Sequence, residues 1–278
     1  MSTAGPLGEF LRARRDLIGP GDVGLPAHGR RRVPGLRREE LALLAGISAD
    51  YYLRLEQGRD RHPSTQVLDA LARALRLDAT ATEHLHGLAR PAPTRRPAPR
   101  PERVPVGIRQ LVGSWTGTPA FVHGRHLDVL FANPMATALA PIFRAGVNLL
   151  RAVFLDPSVP TLYPALTAVA ANAVAGLRAQ VGADVDDPRL TELVDELTAG
   201  SERFRRLWAR HDVTDRAGGG SRVFQHPRVG ELELRYEKLG ISGTTQSLIV
   251  YHAEPGSPSA RSLARLAPTA VGSAAQYP

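Results

Sequence analysis

Between Arg38 and Glu56 apolar residues recur at helical spacing on both sides of a glycine. In REELALLAGISADYYLRLE, Leu41, Ala42 and Ala45 fall on the inner face of one helix, Tyr52 and Leu55 on that of a second, and Ile47 in the turn between. Gly46 follows the first helix, where a residue without a Cβ takes a left-handed backbone most easily. Ser48 can cap the second helix by accepting from a free backbone N–H. Ala42 is small where the second helix must come close. The pattern predicts a helix-turn-helix. Leu7, Phe10 and Leu11 predict an earlier helix, separated from the motif by a Gly/Pro-rich segment from Gly19 to Gly35. Pro63-Ser64 opens another, with Val67, Leu68, Leu71 and Leu75 on one face. Thr80 and Glu83 are spaced as a capping box for a fifth, carrying Leu85 and Leu88. Residues 1–90 are therefore expected to form an all-α, five-helix domain.

Residues 91–105, PAPTRRPAPRPERVP, contain six prolines and four arginines. Proline blocks helix and ladder hydrogen bonds and stiffens the chain, so this stretch reads as a linker. Beyond it the pattern changes. HLDVLF, 126–131, reads as a strand, followed by a helix from Asn133-Pro134 through Leu139. Leu162–Leu177, Leu190–Leu197 and Ser201–Trp208 read as helices, with Asp187-Pro188 as a helix start. Three strand-like runs follow: Arg222–His226, Gly230–Leu239 and Thr245–His252. Leu232, Leu234 and Tyr236 alternate with Glu231, Glu233, Arg235 and Glu237, as in an antiparallel sheet with helices on one face. A short helix near Ala260–Leu266 closes this α+β domain, 106–268, and 269–278 reads as a frayed tail.

Composition sharpens the picture at one point. The formal charge is +8. Residues 1–104 carry 18 arginines against 12 acids, a surplus of 6, whereas 105–278 carry 17 basic residues against 15 acids, a surplus of 2. The excess lies with the helix-turn-helix, as neutralisation of phosphates requires. Lys238 is the only lysine, so GC-rich codon usage accounts for the choice of Arg over Lys but not for the asymmetry. With no cysteine there are no disulfides, zinc-thiolate sites or thiol chemistry, and no signal peptide is visible, so a cytoplasmic protein is expected. The uncharged stretch Pro157–Leu177 is interrupted by prolines and reads as a buried helix rather than a membrane span.

A helix entering the major groove offers its N-terminal residues to base edges. Here these are Ser48, Ala49, Asp50 and Tyr51, with Arg54 one turn on. Arg54 is placed either for bidentate bonding to guanine or for a phosphate. Asp50 either accepts from cytosine N4, or caps the helix and holds Arg54 by an i, i+4 pair. Arg37 and Arg38, at the start of the preceding helix, and Arg59 and Arg61, after the recognition helix, are candidate phosphate contacts. No phosphate-binding or dinucleotide fingerprint, nucleophile elbow or clustered histidine set is present, so neither catalysis, cofactor nor metal is indicated.

Arg38–Glu56 together with the Ser64–Leu75 helix resembles the Cro/repressor-type helix-turn-helix domain. The run from Gly21 to Leu75, with HLDVLFAN, VFLDP, FRRLWARHDV, HPRVGELEL and LIVYHAEPGSPS, is similar to the MmyB-like transcription regulators. The resemblance spans Leu7 to Leu266. It implies a C-terminal, PAS-like ligand-binding domain that holds an apolar, fatty-acid-like molecule between sheet and helices. Val129, Phe131, Met135, Leu139, Phe154, Trp208, Leu234 and Val250 are then candidate pocket residues, or else plain core. Arg203, Arg205 or Arg206 could meet a ligand carboxylate. The partners this implies are double-stranded DNA, as an inverted-repeat operator read by a homodimer, and a small apolar ligand. The alternative is a ligand-independent regulator whose second domain dimerises or contacts RNA polymerase.

Overall fold

The computed structural model describes residues 5–26, 33, 35–60, 62–90, 102–182, 187–214 and 219–267. Most of the proline-rich linker and the C-terminal tail lie outside these residues. The chain divides into two compact units, Met1–Ala98 with Ala171–Asp215, and Pro99–Ala170 with Arg216–Pro278.

The first unit is helical. It begins with α1 (Pro6–Leu17), α2 (Arg38–Ala45), α3 (Ala49–Glu56), α4 (Thr65–Ala74) and α5 (Ala79–Ala89). Gly46 ends α2 at φ +66°, and the Ser48 hydroxyl accepts from Tyr51 N–H at 3.1 Å to start α3. Both follow the expected turn chemistry. The start of α5 differs from expectation. The Asp78 carboxylate, not Thr80, accepts the free N–H of Ala81 at 2.8 Å, so the Thr80–Glu83 box does not form. Phe10, Leu11, Leu36, Leu41, Tyr52, Leu55, Leu71 and Leu85 are fully buried in one core.

The second unit opens with α6 (Val106–Gly113), β1 (Ala120–His123), β2 (Val129–Ala132), α7 (Pro134–Leu139), α8 (Leu149–Leu155) and α9 (Val159–Leu162). Next come α10 (Leu166–Val181), α11 (Pro188–Gly200) and α12 (Glu202–Ala209). From Ala171 onward this helical stretch belongs to the first unit, where Val213 joins the core and Arg14 pairs with Asp212 at 2.6 Å. The chain then returns to the sheet with β3 (Gly220–His226), β4 (Gly230–Gly240) and β5 (Ser247–His252), and ends the described fold with α13 (Pro258–Ala264).

The five strands lie in the order β2-β1-β5-β4-β3, every neighbouring pair antiparallel. On β4, Leu232, Leu234 and Tyr236 are buried and Glu231, Glu233 and Arg235 exposed, as their alternation predicts. Elsewhere the sequence reading is corrected. The strand expected from His126 begins only at Val129, because Leu127 turns the chain at φ +64° with its N–H on the Gly124 carbonyl. The helix expected over Leu162–Leu177 is broken before Pro164. Tyr163 is extended (φ −118°, ψ 101°), as the residue before a proline prefers, and helix resumes at Leu166. Helices also do not cover one face alone: α6 packs Val112 and Ile108 on the opposite side, against Val122 and Leu248. Asn133 ties the unit together. Its side-chain carbonyl accepts from Ala136 N–H, capping α7, and from Ala120 N–H, while its amide donates to the Thr118 carbonyl at 2.7 Å.

Candidate DNA interface and ligand-binding core

The outer helix of the motif, α3, presents Ser48, Ala49, Asp50 and Arg54 to solvent and leaves Tyr51 half-buried. Arg54 pairs with Asp50 one turn earlier and lies over the Tyr51 ring, 5.5 Å from its centroid. Two of the open alternatives for this helix thus meet in one cluster, and Asp50 fixes the guanidinium rather than capping the helix. Arg37 is exposed, its backbone N–H donating to the Glu40 carboxylate at 2.7 Å. Arg59 is exposed beyond the C-terminus of α3, and Arg61 lies outside the described residues.

Arg38 is partly committed inward. Its Nε donates to Glu56 at 2.6 Å, and Glu56 also takes Arg15 Nε at 2.7 Å. Glu56 itself is buried. Burial pushes its carboxyl upward, but the hydrogen bonds from Arg15 and Arg38 outweigh that and hold it below the usual range. Arg38 keeps other N–H donors and an exposed side chain, so a phosphate can still be met from a pre-oriented guanidinium. The sequence signal for this network was a single acid on the inner face of α3, next to Leu55 and one turn beyond Tyr52.

The sheet unit separates the residues expected to line a pocket. Val129, Met135, Leu139, Phe154 and Leu234 are buried in it. Phe131 and Val250 lie instead on the face covered by α6. Trp208 belongs to the helical unit, stacked on Phe204 at 5.7 Å and under the Arg178 guanidinium at 3.9 Å. Arg203, Arg205 and Arg206 are on the same helix, with Arg205 paired to Glu202. Of the seven apolar candidates that the sheet unit holds, Phe131 and Val250 thus pack with α6 and apart from the other five.

On the face of the sheet opposite α6 lies an aromatic core that the sequence reading did not single out. Phe121 stacks on Phe143 at 4.6 Å, Phe143 on Tyr251 at 5.6 Å, and Tyr163 sits 5.2 Å from Phe224. Arg222 of β3 enters this cluster. Its guanidinium lies 5.6 Å from the Tyr163 ring and 5.2 Å from that of Tyr236, and it hydrogen-bonds the phenols of Tyr163 and Tyr251. Burial raises both phenol pKa values, so they are neutral near pH 7. Among the described residues no carboxylate pairs with Arg222. Its signal was positional: it stands two residues before Phe224, on the inward face of a strand.

His123 is buried and shares a hydrogen bond with the Gly124 carbonyl at 2.9 Å; burial lowers its pKa to about 4, making it a neutral donor there. No group of three metal-ligating side chains occurs among the described residues, and none of their helices is long and apolar enough to cross a membrane.

Two family models match the chain. A helix-turn-helix domain matches residues 6–85, and the MmyB-like transcription regulator ligand binding domain matches residues 104–266. No curated protein matches it.

Proposed function

This chain belongs to the MmyB-like transcription regulators, and on that premise we propose that it is a cytoplasmic, sequence-specific regulator whose DNA affinity is set by a fatty-acid-like ligand of its sheet unit. It binds DNA through its helix-turn-helix and carries a ligand-binding domain. The proposal adds the reading geometry, the ligand class and the coupling. α3 enters the major groove with Ser48, Ala49, Asp50, Tyr51 and Arg54 at base edges, while Arg37, Arg38, Arg59 and Arg61 hold phosphates. A homodimer reads an inverted repeat, since a twofold axis relates two recognition helices. The sheet unit is PAS-like and has no catalytic role.

The observation that supports the ligand class is Arg222. A guanidinium among aromatic rings with no acid partner among the described residues is costly to desolvate and gains most from an incoming carboxylate. The surrounding rings and Leu234 suit an alkyl chain. The ligand then shifts DNA affinity by its differential affinity for two states of the protein.

Mass spectrometry of organic extracts from the native protein, with operator titrations with and without dodecanoate, tests this. Dodecanoate should change operator affinity by about 5- to 150-fold, the usual range of allosteric coupling. Arg222→Met should abolish the change without altering affinity in its absence. An unchanged operator affinity and no extractable acid would support the ligand-independent regulator instead.

A further inference from the structure

The helical unit contains a cleft of about 320 Å³ that the proposed function does not use. Arg178 of α10 lies in its wall, buried. One terminal nitrogen of its guanidinium donates to the Trp208 carbonyl at 2.7 Å and the other meets His211 Nδ1 at 3.1 Å, while Nε has no hydrogen-bond partner. Among the described residues no carboxylate forms an ion pair with this cation, although Glu9 at the cleft lining favours its charge. Asp212, whose charge favours it, is itself held by Arg14 at 2.6 Å and Arg210 at 2.7 Å. Burial brings the Arg178 pKa down to about 10, so it stays charged near pH 7.

Two imidazoles line the same cleft. Burial, with Arg178 beside both, lowers His84 to about 4 and His211 to about 3, so both are neutral there. His84 Nδ1 is buried without a partner. His211 has φ +51°, a left-handed backbone that costs a residue with a Cβ and persists only where its surroundings impose it. A buried cation without an ion-pair partner among the described residues, unpartnered ring and guanidine nitrogens, and a left-handed backbone thus meet at one opening. Leu88, Val194 and the Trp208 indole supply its apolar walls, and the exposed carboxylates of Glu9 and Asp195 stand at its lining, where they disfavour a multiply charged guest.

We propose that this cleft is a second ligand site, taking a small monocarboxylate with a flat apolar body. The carboxylate docks on the Arg178 guanidinium, and the body lies between Trp208, Leu88 and Val194. Because the walls come from α1 and α5 of the helix-turn-helix region as well as from α10, α11 and α12, the ligand braces the DNA-reading helices directly.

Benzoate is a suitable probe. In the full chain carrying Trp115→Phe, Trp208 is the remaining tryptophan. Benzoate should quench its fluorescence saturably and raise the melting temperature. Benzamide, which lacks the charge-assisted pair, and the dianion phthalate, whose second charge meets Glu9 and Asp195, should each bind at least about tenfold more weakly. Arg178→Gln should remove the response. Val194→Phe, which fills the cleft and leaves Arg178 in place, should remove it while the far-UV spectrum is retained. Equal binding of benzamide, an absence of saturable quenching at millimolar benzoate, or a response that survives both substitutions would overturn the proposal. Displacement of benzoate by dodecanoate would overturn its separateness from the ligand of the sheet unit.

Discussion

Glu56 accepts from Arg15 and Arg38 together, and one carboxylate between two guanidiniums fixes α1 to both helices of the motif. Its folded pKa is depressed, so this stabilisation is complete above the ordinary carboxylate range and is lost as pH falls through the folded value. His84 and His211 act earlier in an acid titration. Their folded values of about 4 and about 3 lie below the 6.5 of a free ring, so between 6.5 and about 4 the unfolded chain binds more protons and stability falls with pH. The slope is at most about 1.4 kcal/mol per pH unit for each ring. Urea unfolding should therefore give a lower midpoint at pH 5 than at pH 7, and His84→Gln should narrow the gap; equal midpoints in the parent protein would refute the neutral assignment. Little of this was legible in the sequence. Arg15 carries no local mark of its role and Arg222 read only as one strand position, because ion pairing and enclosure depend on residues 41 and about 60 positions away in the chain.

Elements were legible where period and punctuation agreed. The α2 and α3 helices, their glycine turn and their serine cap follow from local demands that all concur. β1 did not announce itself: its four residues are all buried and carry no alternation. α6 and α8 are too short for their periodicity to stand out, and Pro164 was a break whose consequence a run of apolar residues concealed. Close approach is another property of elements rather than of sequence windows. Gly8 of α1 lies against the backbone of Glu56 at the end of α3, where an added methyl would collide with the carbonyl oxygen. Gly8→Ala, normally favourable inside a helix, should here destabilise the unit by about 1–3 kcal/mol, as overpacking does. A thermal melt checks it, and an unchanged or higher melting temperature would show that the two helices can part without loss.

The family assignment and division of labour were carried by long motifs spread over most of the chain, which is why they were readable as a whole. The extent of each compact unit was not. Residues 171–215 fall within the stretch matched by the ligand-binding model, yet pack with the helix-turn-helix, a long-range arrangement that no local pattern encodes. If Arg54 reads bases and Arg37 and Arg59 hold phosphates, Arg54→Ala should cost about 1–3 kcal/mol on the preferred operator and relax its sequence preference. Arg59→Ala should weaken all sequences alike and lower the salt slope by about one counterion. Competition binding against scrambled duplex at several salt concentrations separates them, and identical behaviour of the two variants would remove the division of roles.

The Asp50–Arg54 pair has a further consequence for how such a regulator would find its site. If α3 faces the groove as proposed, a surface that already carries its own balanced charges releases few condensed ions when it docks, so added electrolyte would loosen the proposed arginine grip along the strands while sparing the discrimination made at the base edges. Selectivity between operator and bulk chromosome should accordingly improve as the medium becomes more saline, even as occupancy declines.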